Sequence, residues 1–246
     1  MTVRRSATDS KPGSELVEHQ VEVGDRATIL DALFALQQGE APDLAFRFSC
    51  RVGMCGSCAM LVNGREQLAC STLIEPLGKA LRIEPLRNLP VIRDLLVDMT
   101  PFFQAYQRTI PHFVPREDLR GFFPIPHASR EWAALDHQPQ CIDCGACYSA
   151  CTLVTLQPRY FGPMALHRAL TLIVDPRDAL HNERLDAVAS EAGAFRCHTL
   201  GNCREVCPRG ISPTASIQRL KRLAVFAQLR SILARFLGLG KDARDQ

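Results

Sequence analysis

No stretch of this chain is apolar for long enough to cross a bilayer; its hydrophobic runs are short and broken by charge, well under the roughly 18 residues that signal a spanning helix. The opening MTVRRSATDSKPGSE holds no apolar core segment, which argues against a secretory signal, and Arg4-Arg5 without such a segment does not make a twin-arginine export signal. Net charge is small, at +3, which gives no case for nucleic acid as a partner. Tryptophan occurs once, at Trp132. An even cysteine count is also missing: eleven cysteines leave one thiol over in any all-disulfide scheme, and disulfides are rare inside cells. Disorder is excluded by 46% hydrophobic and 22% charged residues over 246 positions, enough for two folded domains.

Metal ligation remains. The cysteines fall into three sets. Cys50, Cys55, Cys58 and Cys70 are spaced C-x4-C-x2-C-x11-C, while Cys141, Cys144, Cys147 and Cys151 form a C-x2-C-x2-C-x3-C run. Cys197, Cys203 and Cys207, followed by Pro208, repeat that run with Leu200 in its second slot. Thiolates hold iron–sulfur clusters at these spacings, plant-type for the first set and bacterial-type for the others. Zinc is the rival, since two C-x2-C pairs close a tetrahedral site. It does not explain C-x4-C-x2-C with a distant fourth cysteine, nor cysteine at every third position.

In two-cluster ferredoxins the fourth cysteine of each run ligates the other cluster. On that rule Cys141, Cys144, Cys147 and Cys207 hold one cluster, and Cys151, Cys197 and Cys203 hold the other. The slot left at Leu200 cannot bind iron. One [4Fe–4S] and one [3Fe–4S] cluster are therefore expected, beside a [2Fe–2S] cluster on the first set; a [4Fe–4S] cluster with water or hydroxide on its open iron is the alternative. Gly53 and Gly56 let the first loop wrap closely, and Arg51 adds a positive charge. Thr152, Leu153, Val154 and Thr155 with His198 make an acceptor site beside the open-corner cluster, or else His198 is a surface or packing residue.

Residues 1–15 read as a loose tail or irregular first strand, and 16–24 alternate as a half-buried strand. Thr28 and Asp31 form a capping box ahead of a helix bearing Ile29, Leu33 and Leu36. Residues 44–48 read as a short strand, Asn63-Gly64 as a hairpin turn, and 80–86 as a closing strand. Prolines at 85, 90, 101, 111, 115, 124 and 126 mark a boundary near residue 100. Helical spacing then covers 163–174, 183–192 and 213–237. The two bacterial-type runs resemble each other, as in an internal duplication with an insertion between.

FRFSCRVGMCGSCAMLVNG with LAC, CIDCGACYSAC, FGP at 161–163, DPRD at 175–178, RCHTLGNCREVCPRGISPT and TILDAL closely resemble the iron–sulfur subunit of succinate dehydrogenase and fumarate reductase, from about residue 20 to 222. The resemblance implies an α+β protein. Residues 1–100 would form a plant-type-ferredoxin-like (β-grasp) domain with the [2Fe–2S] cluster, and 101–246 an all-α bacterial-ferredoxin-like domain with the [4Fe–4S] and [3Fe–4S] clusters. It implies electron relay between FAD in a partner flavoprotein and a membrane quinone at anchor subunits, on the cytoplasmic face of the cell membrane. Dicarboxylate chemistry would sit on the flavoprotein, so no residue here is catalytic for it, and His198 matches a family histidine near the quinone. Thr152, Thr155 and Leu156 stand where many ubiquinone-linked members carry proline and a tryptophan pair, which favours menaquinone or a different anchor. Some bacterial members carry aspartate where this chain has Cys58.

From Thr214 to Lys241 there are six Lys or Arg and no acidic residue, with apolar residues near helical spacing. That helix docks a partner, packs in the core, or lies on an anionic membrane; the last residues, GLGKDARDQ, read as a frayed end. Two other functions compete. One is the matching subunit of a fumarate reductase linked to thiols or a modified menaquinol, and the other a zinc-stapled interaction module.

Overall fold

In the computed structural model residues 1–6, 14–78, 80–119, 121–135 and 138–237 are described. The frayed end expected over GLGKDARDQ lies outside them.

β1 (Thr2–Arg5) pairs antiparallel with β2 (Glu15–Glu18) and parallel with β5 (Arg82–Glu84). β5 pairs antiparallel with β3 (Ala59–Val62), which closes a hairpin with β4 (Arg65–Leu68), giving the order β2-β1-β5-β3-β4. The hairpin turns at Asn63 (φ 52°) and Gly64 (φ 79°), the pair of positive φ values a two-residue turn of this twist requires. β2 stops at Glu18, short of the expected 16–24. Its ladder partner among the described residues, β1, is four residues long, and Thr2 already opposes Glu18.

α1 (Ile29–Gln38) lies across this sheet. The Thr28 side chain accepts from the Asp31 amide, and Asp31 accepts from the Thr28 amide, so two orphan donors are satisfied reciprocally. Ile29, Leu30, Leu33 and Leu36 are buried in one core with Val3, Met60, Val62, Leu68 and Ile83. Removing the cap is expected to cost about 1 kcal/mol: Thr28→Ala should lower the denaturant midpoint by that equivalent, and an unchanged midpoint would deny the cap any role in stability.

Residues 44–48 form no strand. The Ala45 amide donates to Asp94 Oδ2 at 2.9 Å and its carbonyl accepts from Leu95, so the backbone is satisfied without a ladder. Phe46 and Phe48 instead stack edge to face or tilted with Phe34 and each other.

The remaining elements build a second core. β6 (Val91–Arg93) and β7 (Leu96–Val97) form a small ribbon, followed by α2 (Thr100–Gln107), α3 (Arg130–Leu135), α4 (Ala146–Ser149), α5 (Thr152–Leu156), α6 (Pro163–Ile173), α7 (His181–Val188), α8 (Asn202–Glu205) and α9 (Pro213–Phe236). Leu86, Leu89 and Val97 are already buried in this second core, so the chain changes cores before residue 100. α6 is buried almost all round and packs against α9. α7 begins two residues earlier than the expected 183 and ends at Val188. Asp178 accepts from the Leu180 amide at its start, and beyond its end the Ala192 carbonyl turns to accept from Phe161.

The DPRD segment and FGP acquire structural reasons. Asp178 and Arg184 form an ion pair with both side chains fully buried, and the guanidinium also donates to the carbonyls of Ile110 and His112. This pins the proline-rich connection to α7. At Gly162 an added Cβ would lie 2.7 Å from the Tyr148 ring, so only glycine lets α6 start there.

Candidate metal centres

The first loop runs from Cys50 through Cys58, with Cys70 brought alongside from beyond the hairpin. Its amides turn inward toward sulfur: Met54 and Cys55 N–H donate to Cys50 Sγ (3.2 and 3.3 Å), Gly53 to Cys70 Sγ (3.2 Å), and Cys50 to Cys55 Sγ (3.4 Å). The Cys70 amide approaches Cys58 Sγ at 3.5 Å. Positive φ at Arg51, Gly53 and Gly56 makes this wrapping possible. The Arg51 guanidinium lies over the rings of Phe34 and Phe48 at 5.1 and 5.4 Å, which holds its charge at the loop. Hydrogen bonds from Ser57 and the Cys50 amide pull the Cys55 thiol down to about 6, whereas burial pushes Cys58 up to about 12.

Two further cavities lie in the helical half. One is lined by Cys141, Cys144, Cys147 and Cys207 with Met164 and His167. The other is lined by Cys151, Cys197 and Cys203 with Leu200, Tyr160 and Thr214. The first cavity thus takes three cysteines from the earlier run and Cys207 from the later one, and the second takes Cys197 and Cys203 from the later run and Cys151 from the earlier.

The two runs match in backbone conformation as well as spacing. Asp143 (φ 51°) and Gly145 (φ 79°) precede the short helix α4, and Thr199 (φ 65°) and Gly201 (φ 89°) precede α8. In this alignment Leu200 occupies the position of Cys144. It is 61% exposed and so is not retained for core packing. Thr199 is a β-branched residue in the left-handed region, where such residues are strained by about 1–3 kcal/mol. Its surroundings hold it there: Gln218 Nε2 donates to Thr199 Oγ1 (2.7 Å), its own amide to Cys197 Sγ (3.4 Å), and Lys221 Nζ to the Cys197 carbonyl (2.6 Å). The first turns of α9 therefore clamp the loop, and Thr214 Oγ1 lies 3.1 Å from Cys203 Sγ.

His167 was not singled out by sequence reasoning. It is buried on α6, with Nε2 3.0 Å from the Gln138 carbonyl and Nδ1 2.9 Å from Ser216 Oγ. A carbonyl only accepts, so Nε2 carries the proton and Nδ1 accepts from the serine. Burial holds the ring's pKa below its ordinary value, keeping it neutral. The available signal was a histidine on the face of an otherwise apolar helix, which packing alone also explains.

Burial pushes Cys141 up to about 12, Cys144 to about 11, and Cys147 well above the ordinary thiol range. The protein matrix alone opposes thiolates at this depth. Iron held by these cysteines would reverse that preference, because a coordinated metal deprotonates a thiol outright. Cysteine sets at bacterial-ferredoxin spacing, gathered separately in the two cavities, fit iron–sulfur clusters by the chemistry of their donors.

The first loop and the four-cysteine cavity touch. A Cβ added at Gly56 would lie 2.6 Å from Cys144 Cβ, 2.8 Å from its Cα and 2.9 Å from the Ile142 carbonyl, so the loops meet backbone to backbone. A polar seam reinforces the contact: the Asn88 amide donates to the carbonyls of Tyr148, Ser149 and Cys151, and Ser149 Oγ donates to buried Glu66 (2.8 Å). His198 is exposed beside Cys197, and Thr152, Thr155 and Leu156 are exposed on α5.

Comparison with known proteins agrees with these centres. Residues 1–104 match the 2Fe-2S iron-sulfur cluster binding domain family, and residues 138–211 the 4Fe-4S dicluster domain family. The chain is 38% identical over 216 residues to the mitochondrial succinate dehydrogenase [ubiquinone] iron-sulfur subunit 1 of Oryza sativa subsp. japonica, covering 86% of this chain and 76% of that one. It is 35% identical over 239 residues to the fumarate reductase iron-sulfur subunit of Mycobacterium tuberculosis, covering 95% of each. A chain of the Mycobacterium smegmatis Sdh1 complex in the apo form superposes with a TM-score of 0.83 at 31% identity, over 93% of this chain and 95% of that one. Among the described residues no helix is long and apolar enough to cross a membrane. With two cysteine-lined cavities behind a sulfur-directed loop, and relatives of this similarity along nearly its whole length, the chain belongs to the iron–sulfur subunits of the succinate dehydrogenase and fumarate reductase family.

Proposed function

We propose that the chain relays electrons between the FAD of a partner flavoprotein and a membrane quinone, through [2Fe–2S], [4Fe–4S] and [3Fe–4S] clusters in that order from the flavin. The clusters would supply the one-electron carriers; the protein holds, spaces and insulates them. Cys50, Cys55, Cys58 and Cys70 would hold the first, Cys141, Cys144, Cys147 and Cys207 the second, and Cys151, Cys197 and Cys203 the third. The observation that carries this reading is the separate gathering of the last seven cysteines into a four-cysteine and a three-cysteine cavity.

Residues 1–100 are assigned to a β-grasp domain, supported by the parallel β1–β5 pairing at the sheet centre, and residues 101–246 to an all-α ferredoxin-like domain. Backbone amides aimed at sulfur in the first loop stabilise negative charge there and so raise the reduction potential. Gly56 brings the first two centres together, and the clamp from α9 fixes the third. Dicarboxylate chemistry belongs to the flavoprotein, and the subunit sits peripherally on the cytoplasmic face of the cell membrane through anchor subunits. Menaquinone is favoured as acceptor by Thr152, Thr155 and Leu156, which depart from the proline and tryptophan pair of many ubiquinone-linked members.

Exposed His198 is assigned a contact with the quinone. His198→Ala is expected to slow quinone reduction at least tenfold while leaving flavin-to-cluster transfer unchanged in rapid-mixing experiments. Loss of the clusters themselves would show a structural role instead. The overall reading is tested by metal analysis, acid-labile sulfide and redox titration of the intact complex with each quinone type. Colourless protein containing zinc and no labile sulfide would overturn it.

A further inference from the structure

α9 changes the side on which it is apolar. In its first half the stripe Pro213, Ile217, Leu220 and Ala224 is buried and packs into the second core. Continued at helical spacing, the same stripe becomes Ala227, Gln228, Ser231 and Arg235, small or polar and mostly exposed. The large apolar residues of the second half, Val225, Phe226, Leu229, Ile232, Leu233 and Phe236, fall within an arc of about 120° on the other side. All six are exposed, Phe236 by 87%. Among the described residues no core covers them.

That arc continues a line that begins at the three-cysteine cavity. Thr214, Gln218 and Lys221, which contact Cys203, Thr199 and Cys197, stand in register with Val225, Leu229, Ile232 and Phe236 at steps of three and four residues. Charge decides what the arc meets. Between Thr214 and Leu237 there are five Lys or Arg and no Asp or Glu. A second copy of the chain would bring five more like charges against these, which disfavours self-association. Negative lipid headgroups complement them, and long arginine stems let the charge reach the headgroups while aromatic and aliphatic side chains sink below.

We propose that the second half of α9 is an interfacial membrane helix that lies on anionic lipid, its apolar arc buried about 5–10 Å into the headgroup boundary. Seated so, it turns the mouth of the three-cysteine cavity toward the bilayer, where a quinone dissolves; that corollary alone rests on the proposed function.

The test is co-flotation of the full cluster-bearing chain with vesicles of phosphatidylcholine alone, or of phosphatidylcholine and phosphatidylglycerol at two parts to one. The wild type is expected to float with the anionic vesicles and to be released by high salt. The double variant I232E/F236E should lose at least tenfold in bound fraction, and R230E/R235E a smaller share, both with unaltered visible and EPR cluster spectra. Exposed positions were chosen so that folding survives, and the spectra separate failure of this proposal from failure of the cluster reading. Three results overturn it: flotation with neither vesicle, undiminished flotation of I232E/F236E, or binding that needs integral membrane proteins in the vesicle. A wild-type dimer in sedimentation that I232E/F236E dissolves, without flotation of either, would assign the arc to a second copy and also overturn it.

Discussion

Replacing Leu200 with cysteine is expected to abolish most of the oxidised-state EPR signal of a [3Fe–4S] centre and to yield a second [4Fe–4S] centre in its place. Leu200 lies where Cys144 lies in the companion run, between residues of matching left-handed backbone, and it borders the three-cysteine cavity. Its exposure means that its loss leaves no hole in the core, so the change reads ligand chemistry and not stability. A fourth thiolate retains a fourth iron and lowers the potential of that centre, since each added negative ligand disfavours the reduced state. Quinone reduction should fall while the first two centres titrate unchanged. Two [4Fe–4S] centres in the wild type, with no oxidised-state signal, would sink this account of the slot.

Arg184→Ala is expected to destabilise the helical half by about 3–5 kcal/mol, the cost of leaving a buried charge without its partner. In a chain of this length that is on the order of a 10 °C fall in melting temperature. Asp178 would then keep the amide bonds of Val114 and Leu180 but lose its counter-charge, and the carbonyls of Ile110 and His112 would lose their donor. Burial by itself raises the Asp178 carboxyl. Hydrogen bonds from Arg184, Leu180 and Val114, with the guanidinium charge, outweigh it and hold the pKa below the ordinary carboxylate value. A depressed native pKa contributes stability above the unfolded value and loses it as pH falls through the native one. The difference between wild type and Arg184→Ala should therefore be full at neutral pH and shrink below about pH 4. Arg184→Met combined with Asp178→Asn should recover much of the loss. Melts at pH 7 differing by less than about 1 kcal/mol, the scale of an exposed pair, would show that the pair does not hold the connection in place.

The features legible in the sequence are those set by local rules. Asn63-Gly64 demands a particular turn, Thr28 and Asp31 cap a helix reciprocally, and Pro163 and Pro213 stand in the first turns of α6 and α9. Cysteine spacing is what leads one to expect which thiols share a centre, because cluster geometry restricts the loops that carry them. Features set by tertiary partners were not legible. Residues 44–48 alternate like a strand, but Asp94 and an aromatic group occupy their hydrogen bonds and side chains. Arg184 reads as a solvated helix position until the loop carbonyls it binds, more than seventy residues earlier in the chain, are placed against it. Gly56 looks like an ordinary turn glycine, and only the approach of Cys144 from the other half shows why it has no side chain.

The borrowed cysteines have a topological consequence. Because Cys151 faces the cavity of Cys197 and Cys203, and Cys207 faces that of Cys141, Cys144 and Cys147, the two repeats are interleaved like the arms of a domain-swapped dimer folded within one chain. Neither repeat is a self-sufficient module. Splitting the polypeptide between α5 and α8 would leave two fragments, each lacking a wall of its own cavity, and complementation of the pair in one mixture would be the only route back to either centre.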